Sequence, residues 1–345
     1  MTAPNLVKAG ILTLILVLIS VVSWEAYVRN KGFDNSIDDG PSLWADKRSK
    51  VYEPADKSTV FIGSSRIKFD LDIDTWENST GDHAIQLACV GSTPVPILEN
   101  LANDENFKGK LIIDVTEILF FSTDPMNAKM PVDNIKYYKD LTPAQRASFE
   151  LNHALESKLA FLDKEGLSLN AQLVNLRIPN RPGVFEFPVF PPAFDRVKFN
   201  RQSYMTEKFV ADTNQQNQVK GIWAFFGKMN KELPMEGAKL DSMLATVKTY
   251  TDKIKARGGQ IVFVRTPSSG PFLMGENMGF PREKYWDRLL AYTGCPGIHF
   301  SDYPAIASFV CPEFSHLSQP DAIIFTKNFI KILREENGWK FPKSI

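Results

Sequence analysis

Short apolar runs recur along this chain, and each is followed by a helical pattern. Five of them predict strands: STVFIG (58–63), HAIQLACVG (83–91), KLIIDVTEILFF (110–121), QIVFVRTP (260–267) and GIHFSD (297–302). Runs that are apolar on both faces are typical of parallel strands buried between helices. Strands that alternate with helices indicate βαβ units. We therefore predict an α/β fold, a three-layer αβα domain with a parallel sheet, over residues 58–340.

Capping residues mark the helices of this pattern. The closing helix is predicted to begin at Ser318, with Asp321 as its N3 acid, and to end at Gly338. Another helix is predicted between Thr142 and Gly166, in a stretch where the strand–helix alternation is interrupted. We interpret residues 125–235 as a large insertion in the α/β domain.

The N-terminus carries a long uncharged stretch from Ala9 to Trp24. As a helix it would span about 24 Å, which is short for a membrane span but workable if flanking basic side chains reach the interface. We predict a membrane anchor over residues 1–29, followed by a polar linker over residues 30–57. A cleaved signal peptide and a buried core helix are the alternatives. An uncleaved anchor is favoured because no clear cleavage site follows the apolar run.

Charge and cysteine content exclude some classes of function. The 40 basic and 40 acidic residues cancel, which argues against a nucleic-acid-binding protein. The three cysteines form no Cys/His ligand motif, so no metal site is predicted. Cys295 and Cys311 could form a disulfide in an oxidising compartment, or stay reduced.

Two short motifs could carry chemistry. The first predicted strand ends in the sequence Gly63–Ser64–Ser65, on a corner that leads into a helix. This is either an ordinary turn or a site for a nucleophilic serine. Near the other end of the chain, His316 follows Glu313 by three residues, immediately before the closing helix. Because the carboxyl ends of parallel strands meet at one edge of a sheet, the two motifs can be neighbours.

These motifs, FIGSSR and EFSHLSQPDA, together resemble the SGNH/GDSL hydrolase superfamily over residues 60–121 and about 259–333. The resemblance implies that Ser65 is the nucleophile, with Ser64 the alternative should the alignment shift by one residue. It implies that His316 is the base and Glu313 the acid that orients it, with Asp302 as a fallback. The last motif of the family has Asp where this chain has Glu313.

The resemblance also implies the oxyanion hole and the setting. Gly91 matches the glycine of the second family block, and Thr116 is a weak candidate for the donor of the third block, where this chain lacks the family's Asn. The anchor together with these motifs is similar to extracytoplasmic members that transfer D-alanyl groups in teichoic acid synthesis or acetyl groups to exopolysaccharides. Such members act in the periplasm or at the cell surface, need no cofactor and commonly work beside a multi-pass membrane O-acyltransferase.

Two functions follow from the resemblance. The first is a serine esterase or O-acyltransferase that acts on the acyl groups of a cell-envelope glycan. The alternative is a degenerate member of the fold that serves as a scaffold or binding subunit of an envelope complex. The missing Asn favours the alternative, whereas the retained Ser65 and His316 favour the enzyme.

One apolar segment remains outside these motifs. The sequence VFEFPVFPPAF, which we call the Phe/Pro segment (residues 184–194), contains prolines at a spacing that precludes a central strand or helix. It either packs on the core as a flap or forms a docking surface for a membrane partner through Phe185, Phe187 and Phe190.

Overall fold

A computed structural model describes residues 5–31, 33, 35, 37–174, 188–230 and 232–343. The chain divides into two compact units. One unit comprises Met1–Asp38 and Pro143–Phe185, and the other comprises Asp39–Thr142 and Glu186–Ile345. The predicted sheet and both candidate motifs belong to the second unit.

The secondary structure of the described residues follows in chain order. The strands are β1 (Ser58–Ile62), β2 (His83–Gln86), β3 (Lys110–Asp114), β4 (Arg196–Val197), β5 (Ser203–Tyr204), β6 (Gln260–Arg265) and β7 (Gly297–His299). The helices are α1 (Leu6–Asn30), α2 (Pro41–Ser49), α3 (Ser65–Asp70), α4 (Ile73–Thr80), α5 (Val95–Ala102), α6 (Glu117–Phe120), α7 (Pro125–Lys139), α8 (Pro143–Glu156), α9 (Lys164–Leu167), α10 (Leu169–Val174), α11 (Glu207–Ala211), α12 (Thr213–Met229), α13 (Gly237–Ala256), α14 (Gly270–Gly279), α15 (Trp286–Thr293), α16 (Pro304–Ala307) and α17 (Gln319–Glu335). Short 3-10 turns lie at Lys50–Tyr52, Ala160–Leu162 and Phe300–Asp302.

The main sheet has five parallel strands in the order β2-β1-β3-β6-β7. Val60 of β1 lies opposite Ile85 of β2 and Leu111 of β3. This sheet confirms the predicted α/β class. β1, β3 and β6 are its three central strands.

Alternating side chains of each strand pack on opposite faces of the sheet. One face, which includes Val60 and Ile113, packs against residues of α5, α13 and α15. The other face, which includes Phe61 and Ile112, packs against residues of α3, α4 and α17. Both faces are therefore buried, which explains why consecutive residues in the middle of the central strands are apolar.

The predicted linker and the third strand are corrected by the structure. Within residues 30–57, the segment from Pro41 to Ser49 forms α2, and Trp44 of that helix is buried with its indole N–H donating to Leu87 O at 2.9 Å. β3 ends at Asp114, and Ile118, Leu119 and Phe120 of the apolar run that follows belong to α6 rather than to the strand. Apolar content alone does not separate a buried strand from a short buried helix.

The first unit contains the apolar N-terminal helix. α1 is long and apolar enough to cross a membrane, by length and composition. Its most apolar stretch is not buried, which contradicts the alternative of a core helix. Near its end, the Glu25 carboxylate accepts hydrogen bonds from the backbone N–H groups of Ala160 (2.9 Å) and Phe161 (3.1 Å). The helix predicted to run from Thr142 to Gly166 ends at Glu156 as α8, and the chain turns at residues 157–163 to meet α1.

Candidate active site

The corner between β1 and α3 is formed by Gly63, Ser64 and Ser65. Gly63 is required by close packing, because a Cβ at this position would lie 2.4 Å from the Cβ of Asp114. Ser64 is the N-cap of α3, and its hydroxyl oxygen accepts a hydrogen bond from Arg66 N at 3.3 Å. Ser65 is the first residue of the helix and is half-buried. Ser64 therefore caps the helix, while its neighbour Ser65 is the candidate nucleophile.

The structure brings the Ser65 hydroxyl to the imidazole of His316. Ser65 Oγ lies 2.8 Å from His316 Nε2, and His316 Nδ1 lies 3.0 Å from Glu313 Oε1. The three side chains thus form one chain of hydrogen bonds, although Ser65 and His316 are 251 positions apart in sequence. This is the arrangement in which an imidazole can take the proton of a serine while a carboxylate holds its ring.

Glu313 is fully buried, and four hydrogen bonds satisfy its carboxylate. Oε1 accepts from the backbone N–H groups of His316 (2.6 Å) and Ser315 (3.2 Å) as well as from the imidazole. Oε2 accepts from the indole N–H of Trp223 on α12. A buried carboxylate stays ionised only when donors compensate for its lost hydration. The loop that carries Glu313, residues 311–318, is called here the acid–base loop.

Ser64 points away from the imidazole and into the protein. Its hydroxyl lies 3.1 Å from Asp114 Oδ2 and 2.7 Å from Thr116 Oγ1, and the residue is buried. Thr116 Oγ1 also lies 3.2 Å from the same carboxylate oxygen of Asp114. Ser64, the alternative nucleophile, and Thr116, the weak oxyanion candidate, therefore form a buried polar cluster with Asp114 beside the corner. Burial raises the pKa of Asp114.

Gly91 and Asp302, the other two candidates, have different positions. Cys89 N donates to Gly63 O at 3.1 Å, so Gly91 follows the segment that runs alongside the corner, and its φ of 57° belongs to a left-handed turn. Asp302 forms a two-pronged ion pair with the Arg282 guanidinium instead of contacting His316. The fallback assignment of Asp302 is wrong, because Glu313 holds Nδ1 of the imidazole.

A buried ionic network lies behind the corner. Glu276 of α14 accepts hydrogen bonds from Arg66, Arg265 and, at 2.7 Å, the Ser268 hydroxyl. Arg265 also donates to Glu117 at 3.0 Å. Burial opposes the ionisation of Glu276, but the two guanidinium groups outweigh it and lower its pKa to about 2. The network ties α3, α6, α14 and β6 together beneath the serine.

A second carboxyl group fixes the far side of the acid–base loop. Asp70, the last residue of α3, accepts a hydrogen bond from Leu317 N at 2.9 Å, one residue beyond His316. Burial raises the pKa of Asp70 to about 7, although the positive potential of His316 and Arg66 opposes the rise. The helix that begins with Ser65 therefore ends with a residue that anchors the loop carrying His316.

Aromatic rings enclose the imidazole. The ring centroids of Phe69, Phe194 and Trp223 lie 4.5, 5.9 and 6.0 Å from that of His316. Phe190 of the Phe/Pro segment packs on Phe194, with their ring centroids 5.3 Å apart. The described part of this segment therefore lines the site. Phe185 and Phe187 lie outside the described residues. The rings keep water from most of the imidazole, which strengthens the polar contacts in the site.

Sequence reasoning missed several residues of this site. Asp114 lies at the carboxyl end of a central strand, a position that could have identified it as a residue of the site. Trp223 carried no comparable signal, because nothing in the sequence of α12 indicates that one indole reaches a loop 90 positions away.

The cysteines are each buried and free, so Cys295 and Cys311 do not form a bridge in this structure.

Comparison with known proteins adds no assignment. No protein-family model matches the chain, and no curated protein is significantly similar to it in sequence. The geometry of the site is therefore the basis for assigning a function.

Proposed function

We propose that this chain is a serine esterase or O-acyltransferase of SGNH type that works through an acyl-serine intermediate. The observation that carries the proposal is the unbroken chain of hydrogen bonds from Ser65 through His316 to Glu313. The same three residues were singled out by the motifs of the sequence. The parallel sheet with helices packed on both faces supports a three-layer αβα domain of the SGNH type.

The hydrogen bonds among Ser65, His316 and Glu313 define the proton transfers of the proposed reaction. Ser65 Oγ attacks the acyl carbon of an ester while its proton passes to His316 Nε2. The tetrahedral intermediate collapses, the bond to the leaving alkoxide breaks, and the alkoxide takes the proton from Nε2. Water or a sugar hydroxyl then attacks the acyl-serine, gives its proton to Nε2, and releases Ser65 when that proton returns to Oγ. Glu313 holds the imidazole and stabilises its charged form at each step.

Backbone N–H groups would stabilise the developing oxyanion. The candidates are the N–H groups of Ser65, at the start of α3, and of Gly91, in the turn after β2. One such donor is worth on the order of 3 kcal/mol of transition-state stabilisation. Thr116 would first have to exchange its bonds to Ser64 and Asp114, so the proposal assigns the oxyanion to the backbone.

The proposed setting is the outer face of a membrane. α1 is long and apolar enough to serve as an anchor. An anchored enzyme of this type would act on acyl groups of a cell-envelope glycan, in the periplasm or at the cell surface, beside a multi-pass membrane O-acyltransferase. The family resemblance is the basis for proposing this partner and this glycan substrate.

Covalent labelling with a fluorophosphonate tests the nucleophile. We expect the full-length protein in detergent to be labelled, Ser65→Ala to lose all labelling, and His316→Ala to lose nearly all of it. Ser64→Ala is the matched control: it removes a buried cap but leaves Ser65 and His316 in place, so it should still be labelled. Unfolding curves check that each variant is folded.

Two results would contradict this assignment. If the folded wild-type protein is not labelled at all, the chain is better explained as a scaffold or binding subunit. If Ser64→Ala abolishes labelling while Ser65→Ala does not, the nucleophile is the other serine.

A further inference from the structure

We propose that helix α12, which lies within the insertion, is part of the catalytic apparatus, and that Trp223 is a positioning residue for the acid Glu313. This inference rests on the proposed function. The indole N–H donates to Glu313 Oε2, whereas the donors to Oε1 all come from the acid–base loop itself. Phe194 of the insertion packs against the His316 ring, whereas Trp223 gives the insertion a hydrogen bond to the triad.

A second contact of α12 supports this role. Lys220 lies one helical turn before Trp223, and its Nζ lies 4.7 Å from the ring centroid of Phe314. Lys220 and Trp223 therefore contact two consecutive residues of the acid–base loop, Phe314 and Glu313. Residues three apart on a helix share a face, so one face of α12 lies along this loop.

The loop needs such support because its backbone is strained. Phe314 has a φ of 83°, a left-handed conformation that is unfavourable for a bulky side chain. Conformations of this kind persist when surrounding contacts over-determine them. The Phe314 carbonyl accepts from Ser269 N at 2.9 Å, and its N–H donates to Cys311 O at 3.1 Å. Lys220 and Trp223 add support from outside the loop.

Loss of the indole donor has a predictable electrostatic effect. With Phe at position 223, Oε2 of Glu313 would stay buried without this hydrogen bond, and the carboxylate would hold a proton on the imidazole more firmly. The neutral imidazole that accepts the serine proton would then form only at higher pH.

Other charged and titratable groups face Glu313 and His316. Asp70 on α3 and Asp195 before β4 act on His316, and Cys311 on the acid–base loop acts on Glu313. Two cations lie beside the residues between them: Arg66 Nε donates to Ser315 Oγ at 3.3 Å, and Lys220 lies over the Phe314 ring. A Trp223→Phe substitution changes none of these groups. A shift of the pH profile therefore reports the lost indole N–H.

The test compares Trp223→Phe with Phe226→Leu on the same helix. The ring centroids of Phe226 and Trp223 lie 6.3 Å apart. Substitution of Phe226 therefore disturbs packing while leaving the indole N–H in place. We measure the rate of fluorophosphonate labelling from pH 5 to pH 9, and follow the His316 ring by NMR over the same range. For Trp223→Phe, we expect labelling at neutral pH to be roughly tenfold slower and the acid limb to move up by about one pH unit, the scale of one lost hydrogen bond to a charge. Phe226→Leu should leave the acid limb where it is.

The outcomes separate this inference from the proposed function. An unchanged acid limb in Trp223→Phe, or the same shift in Phe226→Leu, overturns the role of Trp223. If the wild-type protein is not labelled, the proposed function fails, and the NMR titration of His316 in the two variants still decides the inference. If Trp223→Phe does not fold, hydrogen exchange of the Trp223 indole N–H in the wild-type protein decides it: slow exchange supports the bond to Glu313, and exchange at the rate of an exposed indole overturns it.

Discussion

At the scale of single residues, we expect Asp70 to couple the stability of the protein to pH. Its carboxyl group is buried, and this burial raises its pKa to about 7, from an ordinary value of 3.8. Because the folded-state pKa lies above the unfolded-state pKa, the contribution of Asp70 to stability is fully present below about pH 4. It is lost as the pH rises through 7, when the buried group must ionise.

Replacing Asp70 by Asn should remove this dependence. The amide oxygen can still accept the hydrogen bond of Leu317 N, but the side chain no longer titrates. We expect the free energy of unfolding of Asp70→Asn, relative to wild type, to rise with pH between about 4 and 7, by up to ~1.4 kcal/mol per pH unit. Urea unfolding at three pH values in this window measures it. Asp302→Asn is the control, because Arg282 holds the pKa of that exposed carboxyl below its usual range. A flat difference for Asp70→Asn would show that Asp70 ionises at its ordinary pKa.

The residues of the site differ in how far the sequence could predict them. Ser65, Glu313 and His316 lie in short motifs at the ends of elements, where local sequence and topology together suggest a shared edge. Asp70 and Trp223 reach the site from within helices. Their roles depend on the three-dimensional path of α3 and α12, which no local pattern encodes.

At the scale of elements, the ionic network joins α14 to α3 and β6 beneath the corner. Glu276 is the only acidic residue of α14, and it contacts two buried arginines, Arg66 and Arg265. Removing one member of a buried ionic group leaves an uncompensated charge, which costs more than the pairing itself contributes. We therefore expect the network to matter for stability more than any surface ion pair of this chain.

Glu276→Gln should destabilise the protein by about 3–5 kcal/mol at neutral pH, because two guanidinium groups lose their shared carboxylate. The lowered pKa of Glu276, about 2 against the ordinary 4.5, gives the pH dependence. Its stabilisation is present above pH ~4.5 and is lost as the pH falls toward 2, so the difference between variant and wild type should shrink in acid. Thermal unfolding at neutral and acidic pH measures both effects. Glu283→Gln, an exposed change near α14, is the control. Equal stability of the two variants would contradict the role of the network.

The elements of the sheet were predictable because each central strand is buried on both faces and has a run of consecutive apolar residues. The errors lie where apolar residues continue past a strand or a helix. Leu119 and Phe120 extend the apolar run of β3, yet they belong to α6, because the chain turns at Thr116. Ala160 extends the helical pattern of α8, yet it lies in a separate turn that contacts Glu25. Tertiary contacts therefore determine where β3 and α8 end.

At the scale of the whole molecule, the predicted insertion is divided between the two units. α7 and the residues from 186 onward belong with the sheet, whereas α8, α9 and α10 belong with the N-terminal helix. The sequence could not predict this division, because it depends on contacts between segments more than 100 positions apart, such as Glu25 with Phe161. The part of the insertion that returns to the sheet is the part that supplies Trp223.

The composition of the first unit leads to a prediction about the membrane. Glu25 accepts two backbone hydrogen bonds, Val28 is buried, and Arg29 donates to Lys158 O at 3.1 Å. A signal peptidase that cut after Ala26 would remove Glu25 from this unit. The end of α1 is therefore a folded part of the protein as well as the end of an apolar helix, which favours an anchor that is kept.

We expect the mature chain to retain α1 and to remain in the membrane pellet after an alkaline carbonate wash. N-terminal sequencing should find a start before Glu25. Leu14→Arg combined with Val17→Arg should release part of the protein, since each arginine at the centre of a membrane helix costs about 2.5–3.5 kcal/mol. Leu14→Ile combined with Val17→Ile, which keeps the stretch apolar, should not. A mature chain that begins beyond Ala26, or a wild-type protein that the wash extracts completely, would show that α1 does not anchor the protein and that the proposed enzyme acts in solution.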